Sequence, residues 1–409
     1  MMKTDVLIIG AGPGGYRAAE YAARQGLQVV IAEQDEVGGT CLNRGCIPTK
    51  TYVHSASFAE AVERQQQVVS QLRSGVESIL SAPGITLLRG HAAFQDAHTV
   101  LVGSEELTAE HIIIATGSSA KMPPIEGIDD PRVMTSTELL QLTEQPKRLC
   151  IIGAGVIGME FASVFNRFGT EVTVIEFLKE CLPMLDSDVA KRLRKLLEKR
   201  GITFKMKTAV QSVRDIDADA ILIATGRKPN VSADFQKAGF AYDERSGIQV
   251  DDNYETTVKG IYAIGDVNGR QMLAHAAEMQ AMRAVNHIVG KTDGIRFGIM
   301  PAAIFTEPEA ACVGPSEDLL KEQGIAYECH KSFWRANGKA LAMNEGEGLL
   351  KLLAGTDGRI LGCHAFGAHA ADLIQEASVL MCRDTTLSQL RDMVHIHPTL
   401  SEVLKAAAE

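Results

Sequence analysis

The sequence contains no uncharged apolar run approaching the roughly 18 residues that a membrane-spanning helix requires. It has little cysteine, eight in 409 residues, too few for a secreted fold built on disulfides. It has no excess of positive charge. The formal net charge is −10, which argues against a broad nucleic-acid-binding surface. The opening stretch MMKTDVLIIGAGPGG lacks the basic start, apolar core and small-residue cleavage site of a signal peptide. A cytoplasmic setting is therefore expected, with no membrane and no nucleic acid among the partners. With 45% hydrophobic and 22% charged residues the chain is not disordered or low-complexity, and its length predicts two to four domains.

The chain holds a pattern that occurs twice. Asp5 to Ile9 is short, apolar and β-branched, which predicts a buried strand. Gly10, Gly12, Gly14 and Gly15 follow, then an alanine-rich helix from about Tyr16 to Gln25. A second strand, Leu27 to Ala32, ends at Glu33. The same order returns 143 residues later: strand Arg148 to Ile152, then Gly153, Gly155 and Gly158, helix Met159 to Arg167, strand Glu171 to Ile175, and Glu176. In such a unit the first glycine permits the turn and the second lets backbone approach a pyrophosphate. The third lets helix and strand pack closely, and the acid bonds a ribose hydroxyl. Each acid lies 23 residues after the first glycine. Glu176 would repel the extra phosphate of NADP, so NAD is expected there. Two such units predict one flavin and one nicotinamide cofactor. Strands Ile112 to Ala115 and Ile221 to Ala224 each run into Thr-Gly, and Ile261 to Ile264 runs into Gly265-Asp266.

Asp186 to Arg200 predicts an amphipathic helix capped by Asp186 or Ser187. Its basic residues read as a solvated face rather than a binding patch. From about Phe297 strand-like segments (Ala303 to Thr306, Leu349 to Leu353, Ile360 to Phe366) alternate with helix-like ones (Ser316 to Gln323, Ala370 to Arg383, Leu387 to Met393). This predicts a separate α+β domain. The fold class is thus α/β: two doubly wound, Rossmann-like nucleotide-binding domains and a C-terminal α+β domain. The boundaries expected are 1–121, 122–235, a central segment 236–296, and 297–409.

Two segments carry reactive side chains. In Gly38-Gly39-Thr40-Cys41-Leu42-Asn43-Arg44-Gly45-Cys46-Ile47-Pro48-Thr49-Lys50 two cysteines sit five apart. They could be buried thiols, half a zinc site, or a redox pair. No second close cysteine pair completes a zinc site, and the adjacent nucleotide unit favours the redox pair. In His395-Ile396-His397-Pro398-Thr399-Leu400-Ser401-Glu402, Glu402 could orient an imidazole as a base. The two histidines could also be metal ligands, though no third ligand is evident, or simply structural.

The block GGTCLNRGCIPTK resembles the redox-disulfide motif of the flavoprotein disulfide reductases, the pyridine nucleotide-disulfide oxidoreductase family. The likeness is closest to the dihydrolipoyl dehydrogenases, and it extends through IIGAGPGGYRAA, IIIATGS, IIGAGVIGMEFAS, ATGRKPN, IYAIGD, MLAHAAE and HIHPTLSE. The resemblance implies that FAD lies on Gly10, Gly12 and Gly15, with Glu33 on its adenosine ribose and Gly39 and Thr40 beside it. Ala92 would meet the adenine through its backbone. Thr116, Gly117 and Ser118 would line the same cofactor, and Asp266 would bond its ribityl or pyrophosphate part. Met272, Leu273, Ala274 and His275 would start a helix aimed at the flavin. Lys50 would sit near flavin N5 and pair with Glu160. NAD would use Gly153, Gly155, Gly158, Glu176, Val210 and Gly226.

In the same way the resemblance makes Cys46 the charge-transfer thiol and Cys41 the interchange thiol that exchanges with substrate. His397 with Glu402 would be the base, supplied by the other subunit of a homodimer whose interface is the C-terminal domain. The activity implied is oxidation of protein-bound dihydrolipoamide. The partners implied are lipoyl domains of a 2-oxoacid dehydrogenase or glycine-cleavage complex. NADPH-linked glutathione or trypanothione reductases would place basic residues where Glu176, Phe177 and Leu178 stand. Mercuric reductase would carry a terminal cysteine pair, where this chain ends Lys405-Ala406-Ala407-Ala408-Glu409. A non-catalytic dinucleotide-binding flavoprotein is the remaining alternative, and the intact Cys41, Cys46, His397 and Glu402 argue against it. The chain is short for the family around 58–68 and 206–219, where, given the intact flanking motifs, mobile loops absent from the sequence are expected rather than deletions.

Overall fold

Strand Met2–Ile9 leads directly into the first glycine turn in a computed structural model that describes residues 2–409. The chain divides into two compact units. One takes the residues up to Lys121, Ser136–Leu142 and Gly226–Ile295, and the other takes Met122–Thr135, Thr143–Thr225 and Arg296–Glu409.

In the first unit a seven-stranded sheet orders Ile85–Arg89, Val29–Glu33, Met2–Ile9, Glu105–Ile114, Thr99–Val102 and Ala92–Phe94. Ile261–Ala263 pairs in parallel with Glu105–Ile114. The four strands nearest the first glycine turn are parallel, as βαβ crossovers require. Leu7, Ile9, Val30, Ile112 and Ile114 share one core with Phe94 and Phe235. The strand expected from Ile112 begins at Glu105 instead. Its polar first half alternates buried and open side chains and pairs antiparallel with Thr99–Val102. The expected helix from Tyr16 begins earlier, at Pro13, because proline suits a first helical turn whose N–H groups have no partner inside the helix.

In the second unit the parallel sheet orders Thr203–Lys205, Glu171–Ile175, Arg148–Ile152, Ala220–Ile223 and Val133–Met134. The same unit holds an antiparallel sheet ordering Ala302–Ile304, Ala310–Val313, Ile360–Phe366, Leu349–Gly355 and Tyr327–Phe333. Two of these strands leave little trace in the sequence pattern. Tyr327–Phe333 is a half-open edge strand rich in polar residues, and Ala310–Val313 is only four residues long. Helix Ala370–Cys382 covers this sheet, and Trp334 is fully buried beneath it.

Both short segments close as they stand. Phe58–Leu80 is one uninterrupted helix of 23 residues, capped by Ser57 and anchored by Phe58, Ala61, Val69, Val76 and Leu80. Residues 206–219 close as a loop in which Ser212 bridges to Glu126 and Val213 is fully buried. Apolar anchors hold each segment as the sequence gives it.

Candidate active site

The first glycine turn is built by close approach. Gly10 has φ +101, and a Cβ there would lie 2.5 Å from the Ala115 carbonyl oxygen. A Cβ on Gly15 would stand 1.9 Å from the Gly10 carbonyl oxygen, so helix Pro13–Arg24 meets its strand at backbone distance. The buried Glu33 accepts hydrogen bonds from Ala11 N at 2.6 Å and Asp35 N at 2.9 Å. The second turn repeats each feature. Gly153 has φ +109, a Gly158 Cβ would fall 2.0 Å from the Gly153 carbonyl oxygen, and Glu176 accepts from Ala154 N at 2.6 Å and Leu178 N at 2.7 Å. A Cβ at the middle glycine would be unobstructed in both: Gly155 has nothing within 4 Å, and Gly12 meets only Gly39 Cα at 3.9 Å. Open backbone at a helix start, with unpaired N–H groups, is what a dinucleotide pyrophosphate requires. The residues present fit the two cofactors.

The cysteines lie on two short helices hinged at Gly45: Cys41 in Gly39–Arg44, Cys46 as the first residue of Cys46–Val53. The two sulfurs are not joined by a disulfide in this structure. The Cys41 thiol is pushed far above its ordinary value, first by its hydrogen bond to Cys46 and then by burial, while Lys50 pulls the other way. Cys46 stands at a helix start, where the macrodipole favours negative charge.

Beside this pair lies a network that joins Ser118 and Asp266 to Arg227, a residue the sequence reading does not assign to the site. Arg227 Nε donates to Ser118 Oγ at 2.7 Å, and Arg227 Nη2 donates to the Ser118 carbonyl at 2.6 Å. Ser118 Oγ donates in turn to Asp266, whose Oδ2 is 3.9 Å from Arg227 Nε. Burial draws Arg227 below its ordinary value, while Asp266 and Cys46 act in the opposite sense. The signal is present as the Arg in ATGRKPN, but nothing in the linear sequence says that strand Arg227–Pro229 pairs with Ser118–Ala120.

Thr116 Oγ1 donates to the Asn230 carbonyl at 2.9 Å, and Gly117 has φ +72. Helix Ala274–Ile288 starts at Ala274 with Leu273 as its cap, so Met272 and Leu273 precede it and His275 is its second residue. Ala92 lies in an edge strand paired with Val102. Val210 packs against the core that includes Cys150, Ile152, Ile175 and Ile221, and Gly226 has φ +103. Glu160 is 3% exposed and accepts from Phe305 N at 2.9 Å.

At the chain's far end His397 Nδ1 is 2.9 Å from Glu402 Oε1, and Thr399 N donates to Glu402 Oε2 at 2.9 Å. The Thr399 N–H, and then His397, hold the Glu402 carboxyl below its ordinary range. The His397 side chain is 78% exposed. His395 differs: its ring nitrogens face Glu376 Oε1 at 3.2 Å and the Met393 carbonyl at 3.2 Å, and it is 8% exposed. Of the two histidines, His397 has an oriented ring and an open Nε2.

Residues 4–281 match the family model for pyridine nucleotide-disulphide oxidoreductases, and residues 300–408 match the dimerisation domain of that family. The mitochondrial dihydrolipoyl dehydrogenase of Pisum sativum is 36% identical over 455 aligned positions, covering 99% of this chain and 91% of the relative. The dihydrolipoyl dehydrogenase of Chlamydia muridarum is 36% identical, with 99% and 96% covered. An alignment longer than this chain's 409 residues places its shortness internally. Among solved structures, the Cu(II) complex of the HOCl-induced flavoprotein disulfide reductase RclA from Escherichia coli superposes with a TM-score of 0.93 at 33% identity, covering 100% of this chain and 99% of that one. This chain belongs to the pyridine nucleotide-disulphide oxidoreductase family, flavoenzymes that use FAD and a nicotinamide dinucleotide.

Proposed function

We propose that this protein is a dihydrolipoyl dehydrogenase acting as a homodimer: it oxidises protein-bound dihydrolipoamide to lipoamide and passes a hydride to NAD+. The observation that carries this reading is the Cys41–Cys46 pair, on two short helices hinged at Gly45 with Cys46 at a helix start. FAD, when bound, carries two electrons from the cysteine pair to NAD+. The chain's own residues do the rest. From the oxidised pair, a substrate thiolate attacks Cys41 sulfur and releases Cys46 as thiolate. The second substrate sulfur then attacks the first, closing lipoamide and releasing Cys41, which takes up a proton. His397, oriented by Glu402, accepts the proton that the substrate dithiol gives up. Glu33 and Glu176 fix the two glycine turns and offer their remaining lone pairs to ribose hydroxyls.

Gly10, Gly12, Gly15, Gly39, Thr40, Thr116, Gly117, Ser118, Asp266 and the Met272 to His275 segment hold FAD in this reading, with Ala92 at the adenine and Lys50 toward the flavin. Gly153, Gly155, Gly158, Glu176, Val210 and Gly226 hold NAD, and Glu160 serves Lys50. The lipoyl domains of a 2-oxoacid dehydrogenase or glycine-cleavage complex are the partners, in the cytoplasm; among the described residues no helix is long and apolar enough to cross a membrane. The match to RclA supports a second reading, a disulfide reductase of another substrate. One comparison separates them: NAD+ reduction by dihydrolipoamide against NADPH-driven reduction of glutathione disulfide. Faster turnover in the second assay would overturn the first reading. Within the first, Cys41→Ser should keep the long-wavelength thiolate-to-flavin absorption without turnover, and Cys46→Ser should lose both.

A further inference from the structure

Three of the basic residues on helix Ser187–Lys199, all of them exposed, also border a concavity. A concave site of about 230 Å³ lies between this helix and the antiparallel sheet of the same unit. Arg192, Lys195 and Lys199 line one wall at successive turns, and Arg335 lines another. Side chains at such spacings stand about 5–6 Å apart at Cβ. Arg192 is held by Asp188 at 2.9 Å, and Arg335 lies over the Phe333 ring at 4.7 Å. Lys195 and Lys199 have no carboxylate within ion-pair distance among the described residues, and Glu347 is the one acid that lines the cavity. The floor is apolar: Leu196, Phe333, Leu349 and Phe366.

With Arg192 paired to Asp188, three cations against one carboxylate remain, an unbalanced arrangement in a chain of net charge −10. An apolar floor beneath a cationic rim selects an anion with a ring or hydrocarbon body. A cavity of this size is smaller than the ~300–1,000 Å³ of drug-sized sites, so the ligand is compact. We propose that this cavity binds a small phosphate ester, its phosphate held by Lys195, Lys199 and Arg335 and its apolar body laid on Phe333 and Phe366.

The test uses the FAD-loaded enzyme with saturating NAD+, which fills the nicotinamide site, and calorimetric titration with 1-naphthyl phosphate. One equivalent per chain should bind, more tightly than 1-naphthol or inorganic phosphate alone. Removing one exposed cation should weaken binding about 2- to 5-fold, so the double variant Lys195→Gln/Lys199→Gln should weaken it about tenfold. Lys191→Gln, exposed on the same helix outside the cavity, should leave it unchanged. No binding would overturn the proposal. So would equal affinity for inorganic phosphate, or equal weakening by Lys191→Gln, since either would mean a diffuse basic surface. Lysine-dependent binding of a polyglutamate peptide but not of the ester would reassign the surface to an acidic protein segment and overturn it as well.

Discussion

Glu176 accepts a 2.6 Å hydrogen bond from the backbone N–H of Ala154, inside the glycine turn it faces. Glu33 and Ala11 repeat the contact at 2.6 Å, so each acid holds its own glycine turn, and in the function proposed above each also meets a ribose. Glu176→Gln keeps one carbonyl oxygen for the two N–H groups of Ala154 and Leu178. We expect KM for NAD+ to rise, with a smaller change in kcat, and the preference for NAD+ over NADP+ to fall. Steady-state assays with both nucleotides check this; wild-type turnover with NADP+ equal to that with NAD+ would refute the role of Glu176.

His397→Gln should slow dihydrolipoamide oxidation by about 10²–10⁴-fold, the usual loss on removing a general base. FAD content should not change. Glu402→Gln should cost less, because the amide oxygen can still accept from either the ring or Thr399 N–H. An unimpaired His397→Gln protein would move the base elsewhere, with His395 already committed to Glu376.

Lys351 is 1% exposed and lies 2.7 Å from Asp186 Oδ1 and 2.7 Å from Glu317 Oε2. Burial works against its charge, and the hydrogen bonds to Asp186 and Glu317 outweigh it, leaving its pKa above the ordinary value. Lys351→Met leaves the buried Asp186 without its cation, while Glu317 keeps Lys321, and should destabilise the fold by about 3–5 kcal/mol. Adding Asp186→Asn should recover part of that loss, since it removes the stranded charge. Denaturant unfolding of the single and double variants measures the difference, and additive losses would mean the pair is not coupled.

Glu317 carries the pH dependence of the same cluster. Lys321 first, and then Lys351, bring its pKa down from 4.5 to about 2. A depressed carboxyl stabilises the fold fully above its unfolded value, and the contribution fades as pH falls from about 4.5 toward about 2. The melting-temperature gap between wild type and Glu317→Gln should therefore be wide at pH 7 and narrower at pH 3. An equal gap at both would assign the effect to altered packing.

The sequence by itself determined both nucleotide units, because their demands are local. A turn in which a Gly15 Cβ would fall 1.9 Å from the Gly10 carbonyl oxygen admits only glycine, and an acid at the end of the next strand can reach back to the turn. It also placed the two cysteines close along the chain, and the break at Gly45 between their two short helices sets how they face. The choice between His397 and His395 is open in the sequence, and the structure distinguishes them by partner: Glu402 five residues away for one, Glu376 on a different helix for the other. Only tertiary structure could join Arg227 to Ser118 across 109 residues, or Lys351 to Asp186 across 165. Asp186 reads as a helix cap, and it is one, to Asp188 N, yet its buried second role depends on a strand far along the chain. A hydrophobic pattern records which side of a helix faces inward. It does not record which buried charge waits there, because that depends on the one partner that folding brings within hydrogen-bond distance.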